Sequence, residues 1–231
     1  NTSGEKYVFW CWKESTTAGL DIVTYTGNDA ARTISHNLGV TPAVLLLKKT
    51  SGAGNWALQH QDIANTKFFY LNTNDAAITD TWFNNSYPNS STFSVDGSGA
   101  VNLSGSTIVG YVFAEKKGYS KFGSYIGNAD ASAPFIYTGF KPAWVMIKEA
   151  TTTSQWYIFD NKRDTFNLMT KALFPDLGYA ETTDNAIDFY SNGFKGRKTS
   201  NDLNTDGNTH IYMAFAESPL VNSNGVPNNA R

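Results

Sequence analysis

The feature that most constrains this chain is an internal repeat of about 100 residues. Residues 104–115 return near the end of the chain as residues 206–217, and residues 25–28 return as residues 125–128. The same displacement relates further single residues: Pro42 and Pro142, Lys48 and Lys148, Trp56 and Trp156. Self-similarity at a fixed period indicates that one structural unit is built more than once. We therefore predict two tandem copies of one module.

The composition indicates that both copies are built from β-strands. The chain has 231 residues, enough for two domains of about 100 residues each. Charged residues make up only 16% and aromatic residues 14%, which suits strands joined by turns. We predict an all-β fold of two tandem β-sandwich, jelly-roll-like repeats. The predicted boundaries are 1–20 for a closing strand and linker, 21–120 for repeat 1, 121–220 for repeat 2 and 221–231 for a C-terminal tail.

The first residues resemble the end of a module. Residues 4–14 match residues 105–115, in which an apolar run ends in Glu115. We therefore expect the chain to open with the closing strand of an upstream repeat. Such a strand needs a pairing partner, because an unpaired strand leaves backbone groups exposed. Cys11 matches Val112 and Met213 and is expected to be a buried thiol.

Short apolar runs separated by turn residues predict seven or eight strands in repeat 1. Residues 43–47 form a continuous apolar run that predicts a strand buried on both faces. The other predicted strands are 22–26, 33–36, 55–60, 67–72, short strands at Trp82-Phe83 and at Phe93 to Val95, and 105–114. In repeat 2, residues 160–183 match worst and are expected to form a short helix or an ordered loop.

Charge and motif content exclude several functions. The net charge of −2 and the pI near 5.9 supply no basic surface for phosphate backbones, so nucleic acid is not expected as a partner. No apolar run approaches the roughly 18 residues of a membrane span, so membrane insertion is not expected either. The chain also lacks Gly-x-Ser-x-Gly, His-Glu-x-x-His and phosphate-loop motifs. We predict that the chain is not an enzyme.

One motif resembles a calcium loop. Asp202, Asn204 and Asp206 place three oxygen ligands at alternate positions. The twelfth position, where such a loop needs an acid, is Met213, and the matching stretch of repeat 1 keeps only Asn102. The alternative interpretation is a turn before the closing strand. We predict no cofactor, with calcium on these three residues as the alternative.

Candidate binding residues lie in the two segments that differ between the copies, 73–89 and 160–183. Loops that vary on a shared scaffold frequently carry function. Their aromatic side chains offer flat faces to sugar rings, or else cover core edges. The candidates are Trp82, Phe83, Tyr87, Asp160, Arg163 and Tyr179.

Residues that recur in matched positions are expected to serve the architecture. Glu14, Glu115 and Glu217 each follow an apolar strand and are expected to share a hydrogen bond or ion pair. Trp56 and Trp156 are expected to fill the core.

A resemblance to a known family depends on these motifs in combination. They are Tyr25–Asn28 with Pro42-Ala43, Asn55-Trp56, Phe113–Glu115, Lys121–Asn128, Asp160–Arg163, Ser191–Phe194 and Tyr212–Glu217. Together they resemble an uncharacterised β-repeat module of predicted marine bacteriophage virion proteins, often tail fibres or other structural proteins. The similarity spans roughly residues 7–219. It implies a tail-associated, non-enzymatic protein that forms trimers or a larger assembly.

These observations predict a structural protein of the phage virion, most simply a tail fibre or receptor-binding module that contacts the host surface. Its expected partners are further copies of itself, other virion proteins and a host cell-surface glycan or protein. Two alternatives remain. One is a carbohydrate-binding accessory module of a polysaccharide-degrading enzyme, and the other is an architectural filament or capsid-decoration subunit.

Overall fold

The computed structural model describes residue 4 and residues 6–97, 99–183, 187–197, 199 and 201–217. Within these residues the chain forms fifteen strands and two four-residue helices, which confirms the predicted all-β fold. Neither helix in this part of the chain has the length or apolarity needed to cross a membrane. The tail predicted over residues 221–231 lies outside the described residues.

The elements of the two repeats follow the same order. Those of repeat 1 are β1 (Leu20–Thr26), β2 (Arg32–Ser35), β3 (Val44–Lys49), β4 (Trp56–His60), β5 (Lys67–Tyr70), β6 (Ile78–Thr79), β7 (Thr92–Val95), α1 (Gly99–Asn102) and β8 (Thr107–Phe113). Those of repeat 2 are β9 (Ser120–Ile126), β10 (Phe135–Tyr137), β11 (Trp144–Glu149), β12 (Trp156–Asp160), β13 (Ile187–Tyr190), β14 (Gly193–Gly196), α2 (Asn201–Asn204) and β15 (Thr209–Phe215).

Both repeats share the order of four strands in the large sheet, to which repeat 1 adds β5 and β6, while repeat 2 adds β13 to its small sheet. The large sheet of repeat 1 has the order β1-β8-β3-β4-β5-β6, and that of repeat 2 has the order β9-β15-β11-β12. Each opening strand therefore pairs antiparallel with its own closing strand. The small sheets, β2-β7 and β10-β14-β13, correspond in the same way. The sequence repeat is thus a structural repeat.

The large sheets are buried on both faces. Along β3, Val44 and Leu46 face a core shared with repeat 2, while Leu45 and Leu47 face the small sheet of repeat 1. Strands β11, β12 and β15 alternate in the same way between the shared core and the core of repeat 2. Strands buried on both faces read as continuous apolar runs, which explains the pattern at residues 43–47. The two sandwiches therefore stack through a third, central core.

Two hydrogen bonds in opposite directions join the repeats across this central core. The Trp156 indole Nε1 donates to the carbonyl of Tyr70 at 3.0 Å. The His60 Nε2 lies 3.2 Å from the carbonyl of Tyr212, and its Nδ1 accepts the backbone N–H of Asp62. Because Nδ1 accepts, Nε2 carries the proton and donates to repeat 2.

The matched tryptophans lie at the same place in their sheets but differ in burial. Trp56 pairs with Lys48 and Trp156 pairs with Lys148 in equivalent registers. Trp156 is fully buried in the central core. Trp56 is half-buried and stacks on Tyr111, so the prediction of a core residue is confirmed for Trp156 and only partly for Trp56.

Residues 6–14 do not form the expected strand. Trp10 and Trp12 instead pack edge-on against Trp144, with ring centroids 6.3 Å and 5.3 Å away. The segment is therefore attached through alternate aromatic side chains, without a β-ladder in the described structure. Cys11 lies between the two tryptophans and is exposed, so the prediction of a buried thiol is wrong.

Two of the three recurring glutamates share a structural contact, at the start of each repeat. Glu14 accepts the backbone N–H of Ile22 at 3.2 Å, and Glu115 accepts that of Phe122 at 3.0 Å. Both bonds join the end of one unit to the opening strand of the next. Glu217 instead forms an ion pair with Lys162.

Two glycines let the backbone close tightly beside the opening strand in both repeats. A Cβ on Gly27 would lie 2.1 Å from the carbonyl oxygen of Leu103, and one on Gly127 would lie 2.0 Å from that of Thr205. No other residue fits at either position without moving the backbone.

One short strand predicted from the sequence is absent. The short strand predicted at Trp82 and Phe83 is wrong, because the chain turns there through Asn84 and Asn85, whose φ angles are 51° and 47°. Asparagine tolerates this left-handed conformation better than most residues.

Residues 160–183 form an ordered loop with isolated β-bridges, and no helix is present within them.

Candidate functional site

Each repeat carries a surface pocket at the same place, beside the loop that follows β4 or β12. The repeat 1 pocket has a volume of about 210 Å³, and its walls include Thr41, Pro42, Gln59, His60, Gln61 and Tyr87. The repeat 2 pocket has a volume of about 270 Å³, and its walls include Lys141, Asn161, Thr165, Phe166, Asn167 and Phe189.

Matched residues place the two pockets on the scaffold. Thr41 and Lys141 occupy equivalent positions, as do Gln61 and Asn161. The backbone N–H of Gln61 donates to Ala43 at 2.8 Å, and the equivalent N–H of Asn161 donates to the equivalent carbonyl at 2.9 Å. The scaffold therefore builds the same recess twice, and the following loop supplies the rest of each wall.

A buried amide oxygen lines the repeat 1 pocket. Gln59 is only 2% exposed, and its Nε2 donates to the carbonyl of Ser86 at 3.0 Å. Its Oε1 is buried and accepts no hydrogen bond from the described residues. A buried acceptor without a donor costs about 1–3 kcal/mol, so native structures rarely keep one without a reason. The oxygen is closed off from solvent, so an O–H or N–H group of a ligand would satisfy it only if the pocket wall shifted to expose it.

The repeat 2 pocket repeats this feature with a different residue. The Oδ1 of Asn161 is also buried and also lacks a hydrogen-bond partner in the described part of the chain. Gln59 and Asn161 are not matched positions, since Gln59 corresponds to Phe159. A residue with a buried, unpartnered amide oxygen therefore lines each pocket, at two different places on the wall.

An exposed aromatic ring lies at each pocket. Tyr87 is 47% exposed, and its hydroxyl donates to the carbonyl of Ile63 at 2.8 Å, which fixes the ring. Phe166 is 83% exposed in the repeat 2 pocket. Exposed aromatic faces are favourable contacts for the C–H faces of flat ligands, because they bury a large apolar area at little entropic cost. An aromatic ring beside an amide acceptor suits a ligand with both apolar faces and hydroxyl groups.

His60 borders the repeat 1 pocket, but its imidazole faces the central core and lies 3.2 Å from the carbonyl of Tyr212. Burial lowers the pKa of His60 to about 4, despite the opposing hydrogen bond with Tyr212 and the nearby carboxylates of Asp62 and Glu115. The imidazole is therefore neutral at pH 7.

The structure brings only one of the predicted aromatic candidates into a pocket. Tyr87 lines the repeat 1 pocket. Phe83 is buried, and Trp82 stacks on Phe68 at 4.7 Å, so both cover the core of repeat 1. Tyr179 is 69% exposed but lines neither pocket.

Asp160 and Arg163 form a structural latch. The Arg163 Nε lies 2.6 Å from Asp160 Oδ2, which also accepts the Trp10 indole N–H at 3.3 Å. Arg163 also pairs with Glu181 at 2.9 Å. These contacts hold the segment 6–14 against repeat 2. Asp164 accepts the backbone N–H groups of the downstream loop at 2.7 Å, so it too has a structural partner.

Two of the proposed calcium ligands, Asp202 and Asn204, lie in α2 and have protein partners. Asp202 accepts the hydroxyls of Ser154 and Tyr157, and Asn204 accepts the backbone N–H of Asn128. Asp206 lies at the surface. Among the described residues, no group of three or more His, Cys, Asp or Glu side chains is placed to hold a metal ion.

Sequence reasoning missed Gln59, Asn161 and Phe166. A signal existed for Gln59, because it is a polar residue where the other copy has Phe159. For Asn161 and Phe166 the signal was weaker: Asn161 matches another amide, Gln61, and Phe166 lies in the segment where the two copies match worst.

Comparison with known proteins places the chain in a family without assigning a role. Neither the curated proteins nor the solved structures contain a significant match to it. One family, described as a domain of unknown function (DUF7483), matches residues 1–219. Because this match covers nearly the whole sequence, the chain belongs to the DUF7483 family.

Proposed function

We propose that this chain is a glycan-binding module of a bacteriophage virion protein, in a tail fibre or receptor-binding protein that contacts the host surface without catalysing a reaction. The observation that carries this proposal is the pair of pockets, each combining a buried, unpartnered amide oxygen with an exposed aromatic ring. The motif resemblance to phage virion modules supplies the biological context.

Two pockets on one chain suit attachment to a repetitive surface. Each pocket is small, so each would bind a single sugar unit weakly. When several such sites are held in one assembly, the effective concentration raises the overall affinity by orders of magnitude. A homotrimer would present six pockets.

The contacts of the acidic residues favour binding over hydrolysis. A glycosidase needs two carboxyl groups that face each other across the sugar. Asp160 and Asp164, the acids nearest the repeat 2 pocket in sequence, already accept hydrogen bonds from Arg163 and from backbone N–H groups. We therefore expect no turnover of the bound polysaccharide.

The proposal is tested by titrating bacterial surface polysaccharides and their oligosaccharide fragments into the purified chain, followed by saturation-transfer NMR and calorimetry. Replacing both Tyr87 and Phe166 with Ala removes one ring from each pocket and should weaken binding at each by about two- to tenfold, because an aromatic contact of this kind contributes about 0.5–1.5 kcal/mol. Tyr87→Phe keeps the ring and should change binding little. Tyr179→Ala removes an exposed aromatic outside both pockets and is the matched control.

The other outcomes identify the alternatives. If binding persists in the Tyr87 and Phe166 double variant, the pockets are not the site. Release of reducing ends from the polysaccharide would establish the enzyme alternative, especially if Asp160→Asn or Asp164→Asn abolished it. Filament formation without glycan binding would establish the architectural one. Mass measurement of the assembly in solution tests the trimer.

A further inference from the structure

A partly enclosed apolar chamber lies between the two repeats in the central core. Its volume is about 200 Å³, and its walls include Trp10, Trp12, Leu46, Trp144, Met146 and Phe215. Every surface that faces the chamber is apolar. Leu46 faces it, whereas the adjacent Leu45 lines the repeat 1 pocket on the opposite face of β3. The chamber and the glycan pockets are therefore separate sites.

A space of this kind is unusual inside a protein. Cores are packed as densely as organic crystals, and few contain voids larger than a water molecule. Water does not stabilise an apolar void, because it finds no hydrogen-bond partners there, and wholly apolar cavities of about 150 Å³ bind benzene-sized molecules. The chamber is large enough for one such ligand.

The walls favour an aromatic ligand. Trp10, Trp12 and Phe215 already contact Trp144 or one another mostly with rings edge to face, at centroid distances of 5.3–6.3 Å. These are the preferred distances for edge-to-face and offset aromatic pairs. A further flat ring among them would extend the same arrangement.

The two tryptophans that cover the chamber, Trp10 and Trp12, belong to the segment 6–14 and lie outside every strand of the described structure. Trp10 is fixed by its hydrogen bond to Asp160 at 3.3 Å and by the Arg163 guanidinium 6.0 Å from its ring. The cover can therefore move without breaking a β-ladder.

We propose that this chamber binds a small uncharged aromatic molecule and that Trp10 and Trp12 close over it. The ligand class follows from the apolar walls, the volume and the surrounding rings. The two repeats contribute opposite walls, so an occupied chamber also strengthens the contact between them.

The experiment titrates toluene into the complete chain, with calorimetry and thermal unfolding as readouts and 1-octanol as the alkyl probe. Saturating toluene should raise the Tm, because a ligand that binds only the folded state stabilises it. Leu46→Phe fills the chamber and should weaken toluene binding at least tenfold. Leu103→Phe makes the same change at an exposed site and should leave binding unchanged.

Trp12→Ala removes part of the cover and should increase the dissociation rate at least tenfold, while Trp82→Ala, remote from the chamber, should not. This second pair decides the question if Leu46→Phe does not unfold cooperatively. The proposal is overturned if toluene produces neither heat nor a Tm shift up to its solubility limit. It is also overturned if 1-octanol binds and toluene does not, or if the dissociation rate is unchanged in Trp12→Ala.

Discussion

Repeat 1 and repeat 2 use the same side chain at the turn before the closing strand, but different ones at the nearby end of β3 and β11. In repeat 1, Asn102 Oδ1 accepts the backbone N–H of Asn28. In repeat 2, Asn204 Oδ1 accepts that of Asn128. Each amide also donates to a carbonyl in the loop after the opening strand, so each turn is fixed to its sheet in the same way.

The neighbouring cluster differs completely. In repeat 2, Glu149 is buried and accepts hydrogen bonds from Thr152, Thr205 and Asn208. The equivalent positions for Glu149, Thr205, Asn208 and the adjacent His210 in repeat 1 are Lys49, Leu103, Ser106 and Ile108. The four residues thus differ as a set. A buried carboxylate is tolerated only with its donors, so the partners of Glu149 must be present together.

This comparison distinguishes side chains that satisfy backbone groups from side chains that satisfy one another. Asn102 and Asn204 satisfy backbone groups, which every copy of the fold presents in the same place. Glu149 accepts hydrogen bonds from other side chains, and repeat 1 carries a different set of residues at the equivalent positions. Positions that serve the backbone are therefore the reliable markers of the repeat.

The largest expected loss of stability tests the role of Asn102 and Asn204 in satisfying backbone groups. Asn102 is fully buried at the end of α1, and Asn102→Ala removes one acceptor and the donor to the carbonyls of Ala30 and Asp96. We expect a loss of about 3 kcal/mol in the free energy of unfolding, because each orphaned buried group costs about 1–3 kcal/mol. Asn204→Ala should cost a similar amount. Urea unfolding measures both.

Asn65→Ala is the matched control, since Asn65 makes a single hydrogen bond near the surface and its loss should cost less than about 1 kcal/mol. Equal losses for Asn65→Ala and Asn102→Ala would show that the repeated asparagines are not the fixed points of the fold.

The second prediction concerns His60, whose equivalent in repeat 2 is Asp160. Burial holds the pKa of His60 at about 4, below the value of about 6.5 in the unfolded chain. Between these values the unfolded state binds more protons, so stability falls as the pH is lowered from 6.5 to 4. The expected loss is about 3 kcal/mol, at about 1.4 kcal/mol for each pKa unit.

His60→Gln should remove this part of the pH dependence. Burial also lowers the pKa of His210, so the difference between the original chain and His60→Gln isolates His60 from it. Unfolding by urea at pH 7, 6, 5 and 4.5 is the measurement. Parallel stability curves for the two proteins would contradict the assignment.

The third prediction concerns the buried carboxylate that only repeat 2 carries. Burial alone would raise the pKa of Glu149, but the three hydrogen bonds to its charged form together lower the pKa below its usual value. The stabilisation is therefore complete above the unfolded pKa of about 4.3 and is lost as the pH falls below it. Glu149→Gln should cost about 1–2 kcal/mol at pH 7 and weaken the decline below pH 4.3.

Lys49→Gln, at the equivalent half-buried position of repeat 1, is the control and should leave that decline unchanged. A decline below pH 4.3 that persists in Glu149→Gln would mean that other carboxylates cause it.

The sequence predicted the repeat and its strands well, because both depend on local patterns and on residues that serve the backbone. It could not predict the stacking of the two sandwiches. Val44 and Leu45 face two different cores. The continuous apolar run at residues 43–47 predicts burial on both faces of the strand, but it does not indicate which part of the molecule covers each face. The hydrogen bond from Trp156 to Tyr70 of repeat 1 shows that each large sheet is covered on its second face by the other repeat.

The pockets were less predictable than the fold. Tyr87 was found because it lies in a segment that differs between the copies. The role of Gln59 depends on an unpartnered atom, and its pairing is set by tertiary contacts that no spacing in the sequence encodes. Asp160 was predicted as a binding residue because of its carboxylate. In the structure that carboxylate accepts hydrogen bonds from Arg163 and Trp10 and so fixes the segment 6–14.

The smallest expected effects compare the three recurring glutamates. Glu115 accepts the backbone N–H of Phe122 and pairs with Lys121 at 3.0 Å, so Glu115→Ala should cost about 1 kcal/mol. Glu217 pairs with Lys162, and both side chains are more than half exposed, so Glu217→Ala should cost less than about 0.5 kcal/mol. Glu14→Ala, which removes a surface hydrogen bond from the backbone N–H of Ile22, should fall between them.

Salt provides the decisive measurement, because it screens an exposed ion pair but scarcely affects a backbone hydrogen bond. If the loss in Glu115→Ala disappeared in 1 M NaCl, charge and not the bond to the opening strand would be what the recurring glutamate contributes.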